Sequence, residues 1–205
     1  EPFFGGGAVY FKEIPNNSFV NDISQDLIEF YRLVQKNPQH KKFVDSLYEY
    51  VNLWEKLSDI ITNYIPQLLE IYHNVRTLNH ISNLANQITI EIFEISSKSC
   101  LLNTKNLTRQ LKKNIDSKIQ RIQKLEKGNG GLSEIDKIKN LETAIRSGLY
   151  MHFRDLMNHP QKYNLSHAKR IANYFFIREF CYGSMFRFNS SGEFNIPYGG
   201  IAYNT

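Results

Sequence analysis

The stretch Glu1-Pro2-Phe3-Phe4-Gly5-Gly6-Gly7-Ala8-Val9-Tyr10-Phe11, followed by Ser18-Phe19-Val20-Asn21-Asp22, carries the reading of the fold. Three glycines interrupt an apolar run, as a chain needs where it turns tightly or lets a ligand approach its backbone. The segment reads as strand end, glycine turn, strand and helix, with residues 18–22 as a short strand ending in two polar side chains. The helix that follows places Leu27, Ile28, Tyr31 and Val34 on one face. It is expected to stop at Asn37-Pro38, because a residue before proline is pushed out of the helical region. Alternating strands and helices belong to a parallel α/β layer, so residues 1–38 are expected to form part of an α/β core.

Outward from there the pattern changes. Residues 39–170 read as helical: Phe43, Leu47, Tyr50, Trp54, Leu57 and Ile61 step by four and three along one stripe. Pro66 predicts a break or kink, after which Leu68, Leu69, Tyr72 and Val75 resume helical spacing. Leu107, Leu111, Ile115, Ile119 and Ile122 line the apolar side of another helix, which Gly128-Asn129-Gly130-Gly131 closes as a flexible connection. Ser133 and Asp136 resemble a capping box ahead of Ile138, Leu141, Ile145 and Leu149. From 171 to 205 aromatic and β-branched residues dominate. There, Phe186-Arg187-Phe188 and Glu193-Phe194-Asn195-Ile196 flank Asn189-Ser190-Ser191-Gly192, a hairpin signal.

Charge is unevenly spread. Nine basic residues face only Asp116 and Glu126 between Lys98 and Lys127, a surplus of seven, while the formal net charge of the chain is +5. Such a segment suits a polyanionic partner or serves as a solvated helix face. Cys100 and Cys181 are two and far apart, as in a reducing compartment. The six histidines show no i, i+4 pair and no Cys-x-x-Cys accompanies them, so no metal site is expected. No apolar run is long enough to span a membrane. Glu1 stands where a complete chain would carry Met, which suggests a piece of a longer protein.

Asp22, seventeen residues past Gly5, lies where an acid can accept both ribose hydroxyls of an adenosine. That spacing fits NAD and S-adenosylmethionine equally, and an ordinary turn residue as well. A dinucleotide fingerprint, however, requires Gly-x-Gly-x-x-Gly, and Tyr10 stands at the third glycine's position.

The run Glu1 to Phe11, with Asn21-Asp22-Ile23-Ser24, Leu27-Ile28 and Tyr31, resembles the cofactor loop and ribose motif of the D12-class (Dam-type) adenine-N6 DNA methyltransferases. Arg187-Phe188-Asn189-Ser190-Ser191-Gly192-Glu193-Phe194-Asn195-Ile196-Pro197-Tyr198-Gly199 resembles that family's DNA-recognition hairpin, Arg-x-Asn-x-x-Gly-x-Phe-Asn-hydrophobic-Pro-x-Gly. The resemblance implies an α/β fold: a partial Rossmann-like S-adenosylmethionine-dependent core, a large mainly α-helical insertion (39–170) forming the target-recognition region, and a β-hairpin within 171–205. It implies a cofactor site made by Glu1, Phe3, Gly5, Gly6, Gly7, Asp22 and Ile23, with Asp22 on the ribose. It implies DNA contacts by Tyr182, Arg187, Asn189, Asn195 and Pro197, with Arg187 reading a guanine, as a guanidinium can through O6 and N7. The expected partner is double-stranded DNA, in the cytoplasm of a bacterium or of a phage host; a cognate restriction endonuclease as a second partner, maintenance of a host genome and a phage setting stay open as alternatives.

Two departures qualify the resemblance. Gly183-Ser184 replaces an Asn-Gly common in relatives, and the helical zone is long. The family's Asp/Asn/Ser-Pro-Pro-aromatic tetrapeptide, which holds the flipped adenine, is absent: none of the six prolines adjoins another. The Lys-Trp-x-Gly-Gly-Lys segment is absent too. No catalytic residue is therefore expected in this chain, and the chain alone is expected to be silent. The rival readings are a non-catalytic DNA-binding paralogue or subunit on the same scaffold, an NAD-dependent oxidoreductase and a helical interaction protein.

Overall fold

The structure, a computed structural model, describes residues 4–35, 38–73, 78–96, 103–129 and 131–200. Glu1, Phe3, Val75, Lys98, Cys100 and Gly130 lie outside them. Among the described residues, seven helices make up the regular structure: α1 (Ala8–Glu13), α2 (Gln25–Val34), α3 (His40–His73), α4 (Leu78–Ile95), α5 (Thr104–Asn129), α6 (Glu134–Asn158) and α7 (His167–Phe180), with a 3₁₀ turn at Tyr182–Ser184.

The expected stripes become the core. Phe43, Tyr50, Trp54, Leu57 and Ile61 of α3 are buried, as are Leu107, Leu111, Ile115, Ile119 and Ile122 of α5. Leu141, Ile145 and Leu149 of α6 complete them, while Ile138 stays partly exposed. The α5 and α6 helices run antiparallel: Asn106 meets Asp155 at one end and Glu126 meets Lys137 at the other. Midway, Gly148 lets the two backbones approach, since a Cβ there would lie 2.9 Å from Leu111 Cα. Ser133 caps α6 by accepting from the Asp136 amide at 3.1 Å, as its spacing predicts.

Three expectations are corrected. The partial Rossmann-like α/β core is not seen: among the described residues there is no strand and no sheet. Ala8 to Phe11 wind into α1 after Gly7 takes a left-handed conformation (φ 70°), leaving Val9 and Phe11 exposed. Residues 18–22 stay irregular, with Phe19 96% exposed; the Phe4 N–H to the Asn21 carbonyl at 2.9 Å and the Gly5 N–H to the Asp22 carboxylate at 2.8 Å tie them to the loop. A strand needs a neighbour to complete its ladder, and none is described beside this segment. The β-hairpin is likewise not formed. The chain reverses at Asn189–Gly192, but only two isolated antiparallel bridges, Cys181 with Tyr198 and Phe188 with Phe194, join the limbs.

Third, α3 does not break at Pro66. Proline in a helix interior costs about 3 kcal/mol. Leu68, Ile71 and Tyr72 beyond it are all buried, each stabilising by roughly 1.5–3 kcal/mol, so packing wins over the local penalty. Residues 171–180, aromatic-rich in sequence, are the last ten of the fourteen residues of α7, which packs on α2, α3 and α6.

Candidate functional site

The glycine loop is held by Asp22. One carboxylate oxygen accepts the Gly5 amide and the other the Ser24 amide, both at 2.8 Å. Those bonds hold the Asp22 carboxyl below the ordinary carboxylate range; partial burial works against them, and the Arg178 guanidinium reinforces them. Tyr31 donates its hydroxyl to the Gly5 carbonyl at 3.2 Å, so α2 grips the other side of the same residue. Positive φ angles at Gly5 (50°) and Gly7 (70°) make the turn, and a Cβ on Gly7 would stand 2.6 Å from the Phe11 ring. Each Asp22 oxygen retains a further lone pair, so the carboxylate that shapes the loop can still accept a hydroxyl.

Beside the loop lies a cavity of about 570 Å³, lined by Phe4, Tyr10, Phe11, Tyr31, Val34 and the 15–18 turn, among others. Phe4 is buried and packs edge-on against Tyr10 and Tyr31, with centroids 5.7 and 4.7 Å away. Of the sequence-predicted cofactor residues, none lines this cavity. Gly5, Gly6, Gly7 and Asp22 are not among its lining residues, Ile23 is 98% exposed, and Glu1 and Phe3 lie outside the described residues.

Two side chains that sequence reasoning did not single out complete the region. Arg178 of α7 lies over Gly6, its Nη2 3.8 Å from where a Cβ would sit. Arg170, two turns earlier, pairs with Asp26 of α2. Nothing in the local pattern around Arg178 distinguishes it from a surface cation; only the docking of α7 against α2 brings it there.

The reversal at Asn189–Gly192 is self-contained. Asn189 Oδ1 accepts the Ser191 and Glu193 amides at 3.0 and 2.9 Å, and Gly192 takes φ 76°. Arg187 is exposed and donates through Nε to Asn195 Oδ1 at 3.4 Å, a weak contact that leaves its Nη groups open. Tyr182 is 46% exposed, and its amide donates to the Pro197 carbonyl at 2.9 Å.

The return limb is anchored by α6 rather than by a strand. Asn158 Nδ2 donates to the Phe194 carbonyl at 3.0 Å while its Oδ1 accepts the Phe194 amide at 2.9 Å. Arg154 and Tyr150, one and two turns earlier, both donate to the Ile196 carbonyl at 3.1 Å. Phe194 and Ile196 are buried beneath.

Both groups of residues converge on the C-terminal half of α7. Arg178 touches the glycine loop, the Phe180 carbonyl accepts the Gly199 amide at 2.9 Å, and Tyr174 packs on Phe186 at 5.0 Å while its hydroxyl contacts Ser24. The glycine loop and the exposed arginine-bearing reversal thus share one helix.

Residues 1–89 match the D12 class N6 adenine-specific DNA methyltransferases. That match takes in the glycine loop, Asp22 and α2, and ends within α4; the reversal at 187–199 lies outside it. The type II methyltransferase M.MjaIII of Methanocaldococcus jannaschii is 36% identical over 64 residues, which are 31% of this chain and 22% of that protein. The type II methyltransferase M1.LlaDCHI of Lactococcus lactis subsp. cremoris is 44% identical over 39 residues, 19% of this chain and 14% of its own length. The chain thus aligns with about a fifth or less of each relative's length. No solved structure matches the chain. Among the described residues no helix is long and apolar enough to cross a membrane.

Proposed function

We propose that this chain is the cofactor-holding and DNA-reading part of a DNA methyltransferase acting on adenine N6 with S-adenosylmethionine as donor. The observation that carries the reading is the convergence of the Asp22-clamped glycine loop and the Arg187 reversal on α7, inside and beyond the segment that matches the family. Asp22 is assigned to the ribose hydroxyls and the Gly5–Gly7 backbone to the methionine portion. Arg178, a cation over that backbone, is assigned to the cofactor's carboxylate. When bound, S-adenosylmethionine supplies an electrophilic methyl group. Arg187 is assigned to a guanine edge near the target adenine, with Asn189, Asn195 and Pro197 shaping the limb and Tyr182 beside the flipped base. The groups that would steer the adenine amine, the Pro-Pro tetrapeptide, are not in these 205 residues. The methyl transfer is therefore assigned to residues outside them, in a protein of the bacterial or phage-host cytoplasm that partners a restriction nuclease.

A second reading, a non-catalytic DNA-binding subunit on the same scaffold, is favoured by that same absence. Calorimetry with S-adenosylmethionine and with NAD, and label transfer from methyl-tritiated donor to duplex DNA, test the proposal. The expected result is binding of S-adenosylmethionine but not NAD, lost in Asp22→Ala, and no label transferred by this chain alone. Absence of S-adenosylmethionine binding would sink the assignment. For the reversal, Arg187→Ala is expected to abolish preference among duplex sequences while leaving random-sequence binding within a factor of about three, the behaviour of a base contact rather than a phosphate contact.

A further inference from the structure

The outer face of α5 takes no part in the site described above. Lys105, Arg109, Lys113, Lys124 and Lys127 step by four and three along the side opposite Leu111, and all five are exposed. Two positions interrupt the row, Asp116 and Gln120, and there the Gln120 amide donates to the Asp116 carboxylate at 2.9 Å. None of the five cations forms an ion pair with a described residue. Elsewhere Arg32, Lys41, Lys137, Arg146, Lys169 and Arg170 each meet a carboxylate.

A helix face used only for solubility alternates its charges, because like charges four residues apart cost about 0.2–0.5 kcal/mol per pair. Here Lys105–Arg109 and Arg109–Lys113 are such pairs, with no compensating acid beside them. From Lys105 to Lys127 the row spans roughly 33 Å at 1.5 Å per residue, close to the ~34 Å of one duplex turn. Its Lys105 end is the one that meets α6 near Asp155, and through His159 (3.3 Å to Asp155, 3.2 Å to Glu193) that end adjoins the Asn189–Gly192 reversal.

We propose that this row is a phosphate-backbone surface for duplex DNA, extending the contact made at the reversal. The choice of duplex DNA as partner rests on the methyltransferase reading; the charge row itself does not. The surface supplies sequence-independent affinity, because each neutralised phosphate releases counterions.

The test is fluorescence anisotropy of a random-sequence labelled duplex against the 205-residue chain over a potassium chloride series, without cofactor. The variant replaces Lys105, Arg109, Lys113, Lys124 and Lys127 by Gln, which keeps helix propensity; circular dichroism checks that the fold is intact. A control variant replaces the paired Arg32, Lys41, Lys162 and Lys169 by Gln. The α5 variant is expected to flatten the slope of log affinity against log salt by about 0.9 per cation that meets a phosphate, and to bind at least roughly 100-fold more weakly at low salt. The control is expected to keep the wild-type slope. Equal slopes in wild type and α5 variant overturn the proposal, as does an equal effect of the control. Preferential loss of duplex RNA binding overturns the choice of partner. The methyltransferase reading stands or falls separately, on S-adenosylmethionine binding, which the α5 variant is expected to retain.

Discussion

Asn158, the last residue of α6, pairs with both backbone groups of Phe194, accepting its N–H at 2.9 Å and donating to its carbonyl at 3.0 Å. One amide side chain thus does for the return limb what a neighbouring strand does in a sheet. That explains how a limb with only isolated bridges stays in register. Asn158→Leu leaves both groups without partners at a buried site, where each unsatisfied group costs about 1–3 kcal/mol. Urea unfolding is expected to show a loss of roughly 2–4 kcal/mol, and the Phe194 amide is expected to exchange faster with solvent water. An unchanged exchange rate there would remove Asn158 from its anchoring role.

Gly148→Ala poses a conflict between two effects. Alanine is the better helix former by about 1 kcal/mol. The added Cβ would meet Leu111 at 2.7 Å on its side chain and 2.9 Å at Cα, and the backbone cannot rotate away. Overpacking at such a contact costs about 1–3 kcal/mol, so the net expectation is destabilisation, read as a fall in melting temperature. A stabilised Gly148→Ala variant would show that α5 and α6 stand farther apart than described.

The glycine loop separates conformational from steric cost. Gly5→Ala introduces a side chain at φ 50° with nothing within 4 Å, so a loss of about 1 kcal/mol is expected. Gly7→Ala adds a 2.6 Å clash with the Phe11 ring at φ 70° and is expected to cost clearly more, of order 2–4 kcal/mol, and to disorder the aromatic cluster. Near-ultraviolet circular dichroism reads that cluster, through Tyr10 and Tyr31, and calorimetry reads the stability order. Equal losses in the two variants would contradict the packing at Gly7.

Asp22 gives the loop a pH dependence whose sign follows from its bonds. The Ser24 and Gly5 amides hold its carboxyl below its ordinary 3.8 in the folded chain, so folding is favoured by the ionised form. The stabilisation is present above the unfolded value and is lost as pH falls through the lower folded value. The stability gap between wild type and Asp22→Asn is therefore expected to be constant from pH 7 to 5 and to narrow below pH 4. A gap that widened on acidification would reverse the assignment.

The sequence made much of this legible. The i, i+3, i+4 stripes of α3, α5 and α6 appear in the structure as buried faces, because burial enforces the helical period strongly. The Ser133 cap was readable from local chemistry alone. The spacing of Asp22 from Gly5 suggests a ribose acceptor, whereas the bond from the Gly5 amide to the Asp22 carboxylate comes from the structure alone. The α/β core was not recovered, because Ala8–Phe11 and 18–22 carry apolar residues without strand neighbours among the described residues to pair with. Short apolar runs do not choose between strand and helix by themselves. Arg178, Tyr150, Arg154 and Asn158 gave no signal at all: their roles depend on partners 36 to 172 positions away.

The sequence by itself determined the helical core faces, the Ser133 cap, the glycine turn and the concentration of positive charge on α5. All of these follow from period, local hydrogen bonding or composition. The tertiary structure alone decided that α3 continues through Pro66, that Asn158 replaces a strand, and that the loop and the reversal meet on α7. Each of those depends on burial or pairing between segments far apart in the chain, whose free energies exceed local preference and leave no mark on neighbouring residues.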